Sequence, residues 1–471
     1  MSFVIYDLET TGLAKGFDQI IQFAGVRTDT NLNVADQFQI RCRLMPHVIP
    51  SPEAMRITGL RIEDLTNPAL PSHYEMVLQV RRVLERWCPA LFLGFNSISF
   101  DEEFLRQAFY QCLFDAYLTN TQRSARADVL NLCRVTAALR PDVLVPAQNS
   151  EGLPIFKLAL LAEANGIVVP TAHEAMSDVT TTLALCRHIK RGASEVWSQF
   201  VRFSQKASVE AFITGEDAFL FSETVGNHHC ARLVMRIGQH TDQAIRHYCL
   251  DLCADLTALR AMSEDELVAF CRSSDRPIVT VRTNAAPTLW ALCDALPEHL
   301  SPFEEGEILE MVAKLKEDEA FLRRLCQAAQ AAEPVYPSSP YVEEQLYERG
   351  FPPREDQNRM KRFHEVEWSE RAKLADEYED DRYRRLAQRL VYFERPDLLR
   401  PTTRKSMDDE IGRRLAVAAE GKPRWRSIPN ALQELQALME QGLTGDSIES
   451  YASFAVYLSD RQASLLPAEM T

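Results

Sequence analysis

The run Phe3-Val4-Ile5-Tyr6-Asp7-Leu8-Glu9-Thr10-Thr11-Gly12 decides how the rest of the chain is read. Its first four residues are apolar and β-favouring and its last three form a polar turn, so it reads as a strand that ends at a glycine. Two acids interrupt the end of that strand. Residues two apart in a strand point to one face, so the carboxylates of Asp7 and Glu9 converge. Burying two like charges is costly unless cations compensate them, and a divalent metal does so with a single ion. The spacing alone is a weak signal, since Asp408-Asp409-Glu410 repeats it in a stretch that reads as helical surface.

Outward from this strand, β-like runs at residues 20–26 and 38–44 with short connections predict an antiparallel meander. The pattern then alternates, with helical periodicity at 74–87, an apolar strand at 90–95, and helices at 101–114, 129–139, 156–164 and 175–190. Mixed strands flanked by helices predict an α/β domain over residues 1–190. Between 191 and 345, strand-like stretches at 231–237, 247–252 and 277–281 are interrupted by helical patterns at 263–271 and 305–330, which predicts a small mixed β unit. Pro334, Pro337 and Pro340 with Ser338 and Ser339 form a linker, and beyond Pro353 the pattern is wholly helical.

The 471 residues predict two to four folding units, and a composition with 25% charged residues excludes gross disorder. Lys+Arg number 52 against 67 Asp+Glu, a net charge of −15 that excludes a cationic wrapper of duplex DNA. The deficit is uneven. Residues 191–349 carry 15 basic and 25 acidic groups, and eight of those acids fall between Glu298 and Glu319 beside only Lys314 and Lys316, which predicts an amphipathic helix with an acidic solvent face. No apolar run approaches the roughly 18 residues of a membrane span, and the short apolar start lacks a basic flank, so the expectation is a cytoplasmic protein with no membrane segment. The 11 cysteines are odd in number and scattered without a C-x-x-C pair, which predicts reduced, mostly buried thiols; His228-His229-Cys230 and Cys249-x3-Cys253 fit no structural zinc spacing.

Two further clusters can complete a site with Asp7 and Glu9. Asn96-Ser97-Ile98-Ser99-Phe100-Asp101 follows an apolar strand and opens a helix, which puts Asp101 at a strand's carboxyl end. His173-Glu174-Ala175-Met176-Ser177-Asp178 puts His173 in a loop and Asp178 about a turn into the next helix, so both can reach one pocket. Singly, Asp101 and Asp178 also read as acids favoured at helix N-termini, and His173 as a loop histidine.

Taken together, an Asp/Glu pair, then Asn-x3-Phe-Asp, then His-x4-Asp resemble the DEDDh 3′-to-5′ exonucleases, the DnaQ-like branch of the ribonuclease-H-like fold. Asp7 to Gly12 matches the first motif, and Ile57-Thr58-Gly59-Leu60 resembles an element often found between the first and second. Beyond these, Ala138-Leu139-Arg140-Pro141, Glu151-Gly152-Leu153-Pro154, Ala164-Asn165-Gly166-Ile167, Glu333-Pro334 and Gln345-Leu346-Tyr347 look like the bacterial exodeoxyribonuclease I family, in order along nearly the whole chain. The resemblance implies a DnaQ-like domain over 1–190, an SH3-like middle domain over 194–346 and a helical C-terminal domain over 350–471, in a C-shaped arrangement. It implies hydrolysis of single-stranded DNA in the 3′-to-5′ direction, releasing 5′-mononucleotides in DNA repair and recombination.

By the same resemblance Asp7, Glu9, Asp101 and Asp178 are ligands of two Mg2+ ions, with Mn2+ as a substitute, and His173 is the general base. Glu9 and Lys157 are implied substrate contacts; Lys157 stands where the family often has arginine, a point charge in place of a fork. The implied partner is the C-terminal tail of single-stranded-DNA-binding protein, and the implied state is a monomer. Arg382-Tyr383-Arg384-Arg385 and Arg389 with Tyr392-Phe393 offer cations interleaved with aromatics, as a single-strand channel would, although the acids at 376–381 favour a salt-bridged helix with its aromatics in the core. An RNA-trimming exonuclease of the same superfamily and a binding scaffold with a vestigial site are the competing readings.

Overall fold

The structure, a computed structural model, describes residues 2–169, 174–225, 228–417, 424–440 and 446–465. Its first sheet contains β1 (Ser2–Thr10), β2 (Ile20–Thr28), β3 (Val34–Arg41), β4 (Ala90–Gly94) and β5 (Ala125–Asp128), in the order β3-β2-β1-β4-β5. The meander supplies the antiparallel half, with β1 on β2 from Phe3↔Thr28 to Thr10↔Ile20; β4 and β5 add in parallel, with Ser2↔Ala90 to Ile5↔Leu93 between β1 and β4. The helices around this sheet are α1 (Pro52–Thr58), α2 (Ile62–Leu65), α3 (His73–Trp87), α4 (Asp101–Gln111), α5 (Val129–Leu139), α6 (Leu158–Ala164) and α7 (Ala175–Gly192).

Both faces of β1 are covered. Val4, Tyr6 and Leu8 pack in one cluster with the apolar stripes of α3 and α4, while Phe3 and Ile5 pack in another with α5 and α7. Asp7 and Glu9 continue the Phe3–Ile5 face, so the alternation that builds the core also aims both acids toward α7. This is the α/β domain of ribonuclease-H-like, DnaQ-like fold that the motifs imply.

Several elements differ from expectation. β3 covers Val34–Arg41, not 38–44, because Cys42 and Leu44 enter the core after the chain has left the sheet, where Leu44 N–H donates to the Leu65 carbonyl at 2.7 Å. α1 and α2 are too short to show a period; Ile57-Thr58-Gly59-Leu60 is the end of α1, with Gly59 at φ 66° in the left-handed C-terminal position that glycine tolerates.

The middle unit begins with two helices, Ser194–Phe203 and Lys206–Gly215, followed by an antiparallel sheet of five strands: Phe219–Val225, His228–Gln239, Arg246–Asp251, Ile278–Arg282 and Thr288–Ala291. This is the mixed β part of the fold; its first and last strands are additions to the sequence reading. The single helix predicted at 305–330 is two, Glu305–Glu317 and Glu319–Ala331, because Asp318 breaks the run and caps the second by accepting from Phe321 N–H at 3.1 Å. The first of the two buries Ile308, Val312 and Leu315 and exposes its acids, as its periodicity predicts.

The remainder is helical, through Arg354–Glu365, Trp368–Leu374, Asp381–Glu394, Pro401–Ala416, Ile428–Glu440 and Asp446–Leu465. The proline-rich linker leads into Glu343, which is fully buried and pairs with Arg389 and Arg414, so the helical unit closes around it. Among the described residues the thiols are unpaired, with Cys42, Cys112, Cys133, Cys186 and Cys249 buried and Cys253 and Cys293 exposed. No helix among them is long and apolar enough to cross a membrane.

Candidate active site

Asp7 and Glu9 meet Asp178 where α7 crosses the end of β1. One ligand atom from each of the three carboxylates lies within 4.8 Å of the other two. The start of α7 is fixed by its N-cap Glu174, which accepts from Ser177 N–H at 3.0 Å and from Gln22 Nε2 at 2.8 Å, Gln22 being the β2 residue paired with Glu9. Asp101, the first residue of α4, is 3% exposed and stands beside the trio. β1 and β4 are last paired at Ile5↔Leu93, and beyond that point the Leu8 N–H donates to Asp101 Oδ1 at 3.0 Å in place of a strand partner.

The loop that delivers Asp101 is held by a second buried acid. Asp128, the N-cap of α5, accepts from Asn96 N–H at 2.8 Å, Leu130 N–H at 3.0 Å and Ile98 N–H at 3.2 Å. Gly94 enters this loop with no room for a side chain, since a Cβ there would lie 2.9 Å from the Tyr6 carbonyl oxygen. Glu102 points the other way, into a buried network with Tyr6, Arg106, Thr119 and Arg126, and takes no part in the acidic cluster.

Electrostatically the carboxyls of the cluster repel one another. Burial, and then the charges of Asp101, Glu9, Asp178 and Glu174, hold the Asp7 carboxyl well above the usual range. Burial and the neighbouring Asp178, Asp101 and Glu174 push Glu9 up to about 8, with Arg41 opposing weakly. Burial also raises Asp101, against the Leu8 N–H that favours its charged form. Carboxylates that repel one another at this range and converge on one point fit a divalent cation, which would supply the missing positive charge.

The other site residues fare differently. His173 lies outside the described residues. Lys157 is exposed in the position before α6, does not cap that helix, and is joined to the acidic cluster by no hydrogen bond or ion pair among the described residues. Glu174 and Asp128 were not singled out from the sequence; their only signal is an acid directly before a periodic helix, the pattern of any N-cap.

The loop after Glu9 is braced from the helical unit. Asp18 accepts from Thr11 Oγ1 at 3.0 Å and from Ala14 N–H at 2.8 Å, and a Cβ on Gly12 would collide with the Asp18 carboxylate at 2.5 Å. Gln111 Nε2 donates to the Gly16 carbonyl at 2.9 Å, and Arg389 donates to Gln111 Oε1 at 3.3 Å while pairing with Glu343 at 2.7 Å. In the helix Asp381–Glu394, Arg382 is buried and paired with Asp380, Arg384 pairs with Asp381, Tyr383 is in the core, the Tyr392 hydroxyl donates to Asp408, and Phe393 stacks on His47. This is the salt-bridged helix that its sequence favoured.

An Asp-x-Glu strand at the centre of a mixed sheet, met by an aspartate from a crossing helix and another at a strand's carboxyl end, defines a metal-dependent nuclease of the DnaQ-like class. The Exonuclease family profile matches residues 4–186, and that of the Exonuclease I C-terminal domain matches residues 340–454. The chain belongs to the exodeoxyribonuclease I family. It is 29% identical over 378 residues to exodeoxyribonuclease I of Haemophilus influenzae, covering 76% of this chain and 79% of that protein. Against exodeoxyribonuclease I of Escherichia coli the figures are 27% over 370 residues, covering 74% and 76%.

The fold is that of E. coli exonuclease I in complex with a dA16 oligonucleotide, with a TM-score of 0.85 at 23% identity over 98% of this chain and 99% of that one. A moderately thermophilic exonuclease I from Methylocaldum szegediense matches with a TM-score of 0.86, also at 23% identity and over the same shares. A zinc-bound E. coli exonuclease I complex with single-stranded DNA matches with a TM-score of 0.83 at 23% identity over 98% of this chain and 99% of that one.

Proposed function

We infer that the chain hydrolyses single-stranded DNA from its 3′ end, releasing 5′-mononucleotides, in DNA repair and recombination. The observation that carries this reading is the convergence of Asp7, Glu9 and Asp178, all part-buried, on one point, where burial and mutual repulsion raise the Asp7 and Glu9 carboxyls. Membership of the exodeoxyribonuclease I family favours DNA over the RNA-trimming reading, and a complete carboxylate set argues against a vestigial site.

In the mechanism we propose, Asp7, Glu9, Asp101 and Asp178 hold two Mg2+ ions, with Mn2+ as a substitute. Divalent ions held there would supply Lewis-acid activation of water and positive charge opposite the scissile phosphate and the leaving oxygen. The chain's own residues do the rest. Asp101 is pre-set by the Leu8 N–H and the Asp128-held loop, and Asp178 by the Glu174 cap, which limits how far either acid has to move to act with Asp7 and Glu9. His173 takes the proton of the attacking water, its ordinary pKa lying near neutrality. Glu9 also contacts the substrate end, and Lys157 supports its phosphate. We assign residues 1–190 to the catalytic domain, 194–346 to the SH3-like domain and 350–471 to the helical domain, with the domains forming a C-shaped clamp. The protein acts as a cytoplasmic monomer that binds the tail of single-stranded-DNA-binding protein.

The test is release of mononucleotides from a 3′-labelled single strand with Mg2+, its loss with EDTA, and a matched RNA strand as competitor. Asp7→Ala and Asp178→Ala abolish release while melting cooperatively; normal turnover by either, or preference for RNA, overturns the assignment.

A further inference from the structure

A cavity of about 390 Å³ lies where the helices Asp381–Glu394 and Pro401–Ala416 meet the catalytic domain, and it shares no lining residue with the carboxylate cluster. Its cations are Arg385, Arg389 and Arg414, and Glu410 is its one acid. Two of the three arginines are already committed. Glu343 pairs with Arg389 at 2.7 Å and with Arg414, and Arg414 also pairs with Glu410 at 2.6 Å. Arg385 is exposed and has no carboxylate partner among the described residues. Nearly every other cation of its helix is neutralised, so Arg385 gives the cavity its free positive charge.

The rest of the lining is specific in kind. Thr402, Thr403 and Ser406 set three hydroxyls on the first turns of the helix Pro401–Ala416, whose N-cap Arg400 supplies no side-chain cap. A guanidinium beside hydroxyls and an uncapped helix start is a phosphate environment. Phe393 lies in the same wall, its ring stacked on His47 at 4.5 Å and 8°, an aromatic face of the kind on which bases stack. The volume falls in the ~300–1,000 Å³ range of small-ligand sites and suits one nucleotide.

We propose that this cavity is a second nucleotide subsite, which takes one phosphate-bearing nucleotide with Arg385 as its phosphate contact. The proposal rests on the exonuclease reading: the occupant is a nucleotide of the single strand away from the cleaved end, and a released mononucleotide offers the same chemistry.

The experiment measures binding in EDTA, where no hydrolysis occurs, by fluorescence anisotropy of an oligothymidine of about 16 nucleotides with the wild type, Arg385→Ala, Arg385→Glu and Thr403→Val. Loss of one phosphate contact lowers the slope of log K against log salt by about 0.7 in Arg385→Ala, equally for oligothymidine and oligoadenine, because a phosphate contact carries no sequence information. Arg385→Glu loses more and Thr403→Val weakens binding without changing the slope. Calorimetric titration with thymidine monophosphate separates the sources: heat abolished by Arg385→Glu identifies the free nucleotide, whereas no heat together with the altered strand slope identifies the strand. Unchanged affinity and slope in all three variants, with no wild-type heat from the mononucleotide, overturn the proposal. Failure of the exonuclease reading itself is seen separately, as a wild type that releases no nucleotides with Mg2+.

Discussion

Metal binding at the acidic cluster should expel protons, and their number follows from the geometry. Without metal, Glu9 titrates at about 8, and burial with mutual repulsion raises Asp7 and Asp101 as well. A carboxyl with that value is only ~10% ionised at pH 7 and ~1% at pH 6, yet it must be a carboxylate to bind a cation. Glu9 alone therefore gives up ~0.9 proton per site filled at pH 7, and Asp7 and Asp101 raise the total above one. Apparent Mg2+ affinity should rise about tenfold per pH unit from pH 6 to 7 for each such proton, and flatten above pH 8 as Glu9 completes its titration. Isothermal titration of the metal-free protein at pH 7, repeated in buffers of different ionisation enthalpy, reads the proton count as the slope of observed heat against buffer enthalpy. A slope of zero, or an affinity flat between pH 6 and 8, would mean that the carboxylates are already charged and compensated, and the account of the site would fall.

Three other outcomes follow from the same contacts. Since Glu9 in the folded chain titrates above its ordinary range, the native state keeps a proton that the unfolded chain has lost between pH 4.5 and about 8. The metal-free protein should therefore lose stability as pH rises through that window, by up to ~5 kcal/mol from Glu9 alone, and thermal melts with saturating Mg2+ should remove the decline. Asp128→Ala leaves the Asn96, Ile98 and Leu130 N–H groups without their buried acceptor, for a cost of about 2–3 kcal/mol in urea unfolding and a raised Mg2+ requirement as Asp101 loosens. Gln111→Ala disconnects the Gly16 carbonyl from Arg389; global stability should change by about 1 kcal/mol or less while kcat falls several-fold, because the loop beside Glu9 is no longer braced.

How far the sequence could be read depended on what kind of signal each element left. The helix 129–139 was legible to the residue because eleven positions show a full period, and the acids at 7, 9, 101 and 178 because charges at the ends of buried elements require an explanation. The strand Phe219–Val225 was not, since a four-residue apolar run at 218–221 after a helix is as compatible with more helix as with strand. Thr288–Ala291 and β5 are four residues each, below the length at which alternation can be counted. The break at Asp318 hides inside a helical period that resumes in step on both sides. Glu174 and Asp128 escaped for another reason: Glu174 holds the Gln22 side chain and Asp128 the backbone N–H groups of Asn96 and Ile98, and such distant pairings exist only once the chain has folded.

The net charge of −15 misleads in a way that the ion pairs explain. In the helical unit Arg382, Arg384, Arg389, Arg400 and Arg414 are matched by Asp380, Asp381, Glu343, Asp376 and Glu410, so these cations contribute little to an external field. At the end of β1 the reverse holds, with acids gathered against their mutual repulsion and Arg41 in weak opposition at Glu9. A polyanionic strand would meet neither a basic nor an acidic protein, but a surface on which many charges are paired, with unpaired cations such as Arg385 at one place and, at another, acids whose sign is overturned once divalent cations fill them. Affinity for such a ligand is then set by those groups and by metal, not by the sum. A shallow salt dependence in EDTA that steepens when a divalent ion occupies the carboxylates is what this distribution requires.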